Sequence, residues 1–124
     1  MDTCVFCKGF ENDRILYQNR LWTAILDGYP VSQGHTLLIP KRHCETYFDL
    51  NKEEIDSLHD VINVLKNKLD ARYGPSGYNV GTNCGISAGQ TVMHCHIHII
   101  PRYNDDVEDP RGGVRGCIPS KMKY

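Results

Sequence analysis

His94-Cys95-His96-Ile97-His98-Ile99-Ile100 restricts the fold of this chain more than any other stretch. Histidines recur with a period of two, and apolar residues fill the gaps. In an extended strand, alternate side chains leave opposite faces. The spacing therefore places His94, His96 and His98 on one face and Cys95, Ile97 and Ile99 on the other, a rigid row of imidazoles backed by a core. A half-buried strand needs polar residues outside, but Thr, Ser or Lys would serve that need equally well. Histidine titrates near neutrality and acts as base, nucleophile or metal ligand, so the pattern points to chemistry.

A chain of 124 residues with a formal net charge of −1 reads as one domain, 1–124, with a single modest core. That charge gives no bulk electrostatic reason to bind nucleic acid polymers or anionic membranes. No apolar run approaches the roughly 20 residues that span a bilayer. Met1-Asp2-Thr3-Cys4 has neither the basic segment nor the apolar core of a secretory signal. A cytoplasmic protein is expected, and six cysteines then do not read as a disulfide scaffold. Cys4 and Cys7 form C-x-x-C, which leaves three readings open: a redox dithiol, a zinc knuckle lacking two further ligands, or unligated thiols. Cys44, Cys84, Cys95 and Cys117 read as small buried or incidental residues.

Ile15–Tyr17 and Trp22–Leu26 are short β candidates separated by a turn at Gln18–Arg20. Thr36–Ile39 is a third strand ended by Pro40. Residues 51–70 read as a helix, with Asn51 as cap and Glu54 in the capping-box position. Ile55, Leu58, Ile62, Leu65 and Leu69 form its apolar stripe, and Tyr73–Gly77 stops it. Tyr78–Gly81 opens a fourth strand, and the triad strand is the fifth. A short first helix near Val5–Phe10 completes the pattern. Strands joined by short turns favour an antiparallel sheet.

Gly85–Thr91 joins the fourth and fifth strands, and its glycines let backbone amides approach an anion. It is neither a P-loop nor a dinucleotide fingerprint. Beside the histidine row it reads as a phosphate cradle, with Gln90 and Thr91 as donors. Arg111-Gly112-Gly113-Val114-Arg115 lies in a C-terminal extension, residues 104–124. It reads equally as a solvated tail or as a segment facing the leaving-group side of a site.

The His-φ-His-φ-His-φ-φ pattern, preceded by Gly89-Gln90-Thr91 and followed by Pro101-Arg102, resembles the signature of the histidine triad (HIT) family of nucleotide hydrolases and transferases. The resemblance extends upstream through Asp27, Gly34–His43 and Asn83. It implies an α+β, HIT-like fold: an antiparallel sheet of about five strands with one long and one short helix, usually as a homodimer. It implies a purine nucleotide or nucleotide conjugate as substrate. Asp27 then takes the ribose hydroxyls, Phe6 and Ile25 the base, and Asn83 the region between ribose and phosphate. Gly28 stands where the family often has a bulky residue, which loosens the expectation for the base. His35 matches an additional active-site histidine. The C-x-x-C motif matches members that bind zinc, implying Cys4, Cys7, His43 and His94 as a closed structural metal site.

A neutral imidazole is a good nucleophile towards phosphorus, and the phospho-imidazole formed is readily hydrolysed. His96 is accordingly assigned as nucleophile on an α-phosphorus. His98, Gln90 and Thr91 stabilise the developing charge, and His35 orients the row. Three function classes follow: a phosphoramidase-like nucleotide hydrolase, a dinucleoside polyphosphate hydrolase or phosphorylase, and a non-enzymatic nucleotide-binding protein. The intact triad disfavours the last.

Overall fold

Asn19 closes the first hairpin. Its carboxamide oxygen accepts from the main-chain N–H groups of Leu21 at 2.9 Å and Trp22 at 2.8 Å, turning β1 (Ile15–Gln18) back into β2 (Trp22–Leu26). A second hairpin leads to β3 (Thr36–Pro40). The computed structural model, which describes residues 3–124, then runs through α1 (Lys52–Tyr73), β4 (Gly77–Gly81) and β5 (Ile97–Arg102). The strands form one antiparallel sheet in the order β1-β2-β3-β5-β4. The architecture is α+β, a five-stranded sheet with one α-helix.

Helix α1 begins where its cap requires. Asn51 accepts from the Glu54 N–H at 2.9 Å, and the Glu54 carboxylate accepts from the Asn51 N–H at 2.8 Å, a reciprocal capping box. It ends at Gly74, whose φ of 62° is left-handed and costs a glycine little. The helix covers one sheet face, where Trp22, Ala24, Leu38, Ile97 and Ile99 meet Val61, Leu65 and Leu69. Trp22 joins the two layers through its indole N–H, which donates to Ser57 Oγ at 3.0 Å.

The buried stripe differs from the expected one at its N-terminal end. Glu54 and Val61 are buried, whereas Ile55 is 38% exposed. Glu54 is drawn inward by the Arg42 guanidinium at 2.9 Å and by its own capping bond, which rotates the inner face by one residue. Two other expectations are corrected. Val5–Lys8 is a turn rather than a short helix, closed by the Cys7 N–H donating to the Cys4 carbonyl at 3.2 Å. The ladder of β5 begins at Ile97, not His94, because Cys95 donates its N–H to the Cys44 carbonyl at 2.7 Å, outside the sheet.

The opposite sheet face buries Ile25, Leu37 and Ile39 beneath Phe6 and Phe10, with Ile15 of β1 packed beside them. The N-terminal segment thus roofs the side that α1 leaves uncovered. Residues beyond β5 fold into short helical turns at Gly113–Cys117 and Pro119–Lys121, the first beside β4. No helix is long and apolar enough to cross a membrane among the described residues.

Candidate functional site

Strand register lines up one transverse row: Ile15 opposite Ile25, Ile25 opposite Leu37, Leu37 opposite His98, and His98 opposite Gly81. Directly opposed residues share a face. Over Leu37 and His98 of this row lies a cavity of ≈ 860 Å³ whose wall also includes Phe6, Phe10, Asp27, Asn83, Thr91 and His96, within the size range of small-molecule sites. Phe6 stands edge-on to the His96 ring, 5.2 Å between centroids at 81°.

His96 is held by its own chain. Its Nδ1 lies 2.8 Å from the His94 carbonyl oxygen. A carbonyl only accepts, so Nδ1 carries the proton and Nε2 keeps a free lone pair.

A second chain of bonds defines His98. The Val31 N–H donates to His35 Nδ1 at 3.1 Å, so the proton of His35 sits on Nε2. That nitrogen lies 2.9 Å from His98 Nδ1 and 3.4 Å from Asp27 Oδ2. The shorter contact makes His98 Nδ1 an acceptor and leaves His98 Nε2–H as a donor. Burial, ahead of the neighbouring His35 and His96 rings, pushes the His98 imidazole below its ordinary value. Burial lowers His35 as well, against the opposing pull of Asp27. Both rings are therefore neutral near neutral pH.

Gly34 makes this placement of His35 possible. Its φ is 89°, and a Cβ there would come within 2.8 Å of the Tyr73 ring. The hairpin it sits in is closed by the Asp27 N–H donating to the His35 carbonyl at 2.9 Å. Asp27 Oδ1 accepts from the Tyr29 N–H at 2.8 Å, which fixes the carboxylate at the cavity edge.

Three expected site residues stand elsewhere. Gln90 is 3% exposed; its Nε2 donates to the Glu45 and Val92 carbonyls at 2.6 and 3.0 Å, and its oxygen accepts from Gly85 N–H at 2.8 Å. Both of its donor hydrogens are occupied, so it braces the loop and has none for a phosphate. Ile25 is fully buried and supports the Phe6–Phe10 layer from below. His35 likewise lies behind His98 rather than in the cavity wall. Phe10, Arg14 and Leu37 do line the cavity; the register that brings them there depends on which strands pair, which no single segment encodes.

Cys4, Cys7, His43 and His94 form a separate cluster, with ligand atoms all within 4.8 Å of one another. Cys4 Sγ and Cys7 Sγ lie 3.3 and 3.5 Å from His94 Nδ1, and Cys7 Sγ is 3.2 Å from His43 Nδ1. Sulfur and nitrogen on a tetrahedral zinc are about 3.5 Å apart, given bonds of about 2.3 and 2.0 Å. His94 Nε2 donates to the Pro40 carbonyl at 2.9 Å, so Nδ1 presents its lone pair to the cluster. The donor set fits zinc, and the bond to Pro40 is the supporting contact a ligating histidine ordinarily makes.

A HIT-domain family model matches residues 9–105. The chain belongs to the HIT family. Among HIT relatives, adenosine 5′-monophosphoramidase hnt1 of Schizosaccharomyces pombe is 39% identical over 107 residues, covering 84% of this chain and 77% of that one. A HIT family protein from Bacillus anthracis has the same fold in its crystal structure, with a TM-score of 0.78 and 39% identity over 85% of this chain and 77% of the other. A zinc-bound histidine triad family protein from Mycobacterium smegmatis superposes with a TM-score of 0.77 at 32% identity, covering 87% of this chain and 81% of that chain.

Proposed function

We propose that this HIT protein hydrolyses purine nucleoside phosphoramidates or similar small nucleotide conjugates through a nucleotidyl-His96 intermediate. The observation that carries the reading is the His96 Nδ1 bond to the His94 carbonyl, which leaves Nε2 nucleophilic in the cavity wall. His96 Nε2 forms a bond to the α-phosphorus, and the bond from phosphorus to the leaving amine breaks with its electron pair. The amine takes up a proton from solvent. Water then adds to phosphorus, loses a proton to solvent, and releases the nucleoside monophosphate with His96 restored. His98 Nε2–H and the amides of the loop at Thr91 meet the non-bridging oxygens. Asp27 accepts from the ribose hydroxyls, with Asn83 beside them. Phe6 and Phe10 carry the base.

Amine leaving groups are favoured over polyphosphates because cations of the C-terminal extension are engaged within it: Arg115 donates to the Met122 and Lys121 carbonyls at 3.1 and 2.9 Å, and Lys123 pairs with Asp109 at 3.2 Å. The relative named as an adenosine 5′-monophosphoramidase supports the same preference.

The Cys4–Cys7–His43–His94 cluster reads as a structural zinc site, supported by its donor set and by the zinc-bound relative. Bound zinc supplies a cross-link between the N-terminal turn and the loop after β3 and takes no part in the proposed chemistry. The family resemblance further implies a homodimer, which sedimentation velocity checks directly.

A steady-state comparison of a nucleoside phosphoramidate with a dinucleoside tetraphosphate, with and without inorganic phosphate, tests the reading. Faster turnover of the phosphoramidate, independent of phosphate, is expected. A strict phosphate requirement would replace the hydrolase by a phosphorylase.

A further inference from the structure

The transverse row has a far end that the proposed chemistry does not use. From His98 on β5 to Ile15 on β1 there are three interstrand steps of about 4.8 Å, roughly 14 Å in all. An extended nucleoside monophosphate laid along the row covers most of that distance, and a long side chain reaching back from β1 covers the rest. With phosphorus at His96 and ribose at Asp27, the base edge points toward the residue that precedes Ile15, which is Arg14, and its side chain lines the same cavity.

Arg14 is prepared for a ligand. One N–H at Nη2 donates to the Leu26 carbonyl at 3.2 Å, and its guanidinium carbon stands 5.7 Å from the Phe10 ring centroid. These contacts fix the fork without consuming it, since a guanidinium has five N–H groups. No ion pair among the described residues uses Arg14. Gly28 lies alongside; a Cβ there would be 3.8 Å from Arg14 Nη2, so any branched side chain at this position would cover the fork. Glycine leaves it open to the cavity that both residues line.

Resting on the proposed nucleotide reaction, we infer that Arg14 reads the O6/N7 edge of guanine, making guanosine conjugates the preferred substrates. Guanine presents two acceptors on that edge, O6 and N7, which match the arginine fork. Adenine presents N7 beside the N6 amino donor, which faces an arginine N–H without forming a bond. The guanidinium has no acceptor to offer in return. Hypoxanthine shares O6 and N7 with guanine, so an inosine nucleotide belongs with the preferred class.

Calorimetric titration of the purified protein with GMP, IMP and AMP tests this. GMP and IMP should bind about tenfold more tightly than AMP, the discrimination a bidentate pair supplies. Arg14→Gln and Arg14→Lys should each bring the GMP-to-AMP ratio near one, because neither keeps the planar fork. Gly28→Ile approaches from the other side: it leaves Arg14 in place, covers its fork, and should also collapse the ratio. AMP binding as tightly as GMP in the unaltered protein would overturn the inference, as would IMP behaving like AMP or a ratio that survives Arg14→Gln. If none of the three nucleotides bound, the hydrolase reading itself would fall.

Discussion

His94 and His96 are coupled through the main chain while their rings face different sites. The His94 carbonyl fixes His96 Nδ1 at 2.8 Å, whereas the His94 ring points away, with Nε2 on Pro40 at 2.9 Å and Nδ1 on Cys4 at 3.3 Å. The proposed metal ligand and the proposed nucleophile thus share one short segment without sharing a nitrogen. His96→Ala should lower turnover by on the order of 10³-fold or more, while a nucleoside monophosphate still binds through Asp27 and the phenylalanine layer. Rapid quenching with substrate labelled at the α-phosphorus should trap label on the unaltered protein and none on the variant. Near-normal turnover in the variant would end the nucleotidyl-histidine mechanism.

In the proposed mechanism His35 acts through His98. By donating from Nε2 it obliges His98 to present Nε2–H to the cavity. His35→Ala should therefore reduce kcat by roughly 10- to 100-fold, with KM changed much less. His35→Asn, whose amide can still donate from a similar position, should recover part of that loss. A fall in kcat/KM carried wholly by KM would place His35 in substrate binding instead.

Stability should decline on acidification. His35 and His98 are held by burial below their ordinary value of 6.5. Below that pH the unfolded chain takes up protons that the folded chain resists. The contribution of these rings is complete above about pH 6.5 and is lost as pH falls through their depressed folded values. Melting temperature followed from pH 8 to pH 5 should fall, and less steeply when His98 is replaced by Asn. A melting temperature that rises across this range would contradict the buried, neutral assignment.

The purified protein should carry about one zinc per chain. Phe6 lies between Cys4 and Cys7 and against His94 and His96, with ring centroids 5.9 and 5.2 Å apart. Cys4→Ser should accordingly lower metal content, melting temperature and nucleotide affinity together. Affinity unchanged in zinc-depleted protein would separate the metal from the cavity.

Glu54 joins two functions in one carboxylate. It caps α1 through Asn51 and holds Arg42, the residue before His43. Burial is the largest influence on its carboxyl and raises it, but the Arg42 and Asn51 bonds together bring it below its ordinary value. Glu54→Ala strands both partners and should cost about 2–3 kcal/mol in urea unfolding. A loss below about 0.5 kcal/mol, the level of an exposed ion pair, would show that the pair is not held as buried.

Local signals were legible where one segment contains its own reason. Trp22–Leu26 matches its β assignment residue for residue, and the Asn51–Glu54 box and the stop at Gly74 both form. What the sequence hides is decided by partners far along the chain. Gln90 reads as a free amide donor until the carbonyl of Glu45 arrives to take one of its hydrogens. Ile55 reads as core until Arg42 pulls Glu54 inward. The histidine spacing reads as a single strand until Cys44 takes the Cys95 amide out of the ladder. Arg14 gave no signal, because its place depends on β1 lying three strands from the triad.

The transverse row also separates two kinds of heritable change. The proposed chemistry sits at the start of β5, flanked by strands on both sides, whereas the proposed base end sits at β1, an edge strand with β2 as its one neighbour. Substitutions on the inner strand disturb two ladders and the helix layer at once. Those at the edge disturb one. On the proposed assignment, a lineage built on this sheet can therefore trade one nucleobase for another at positions such as 14 and 28 while its histidine row stays where it is.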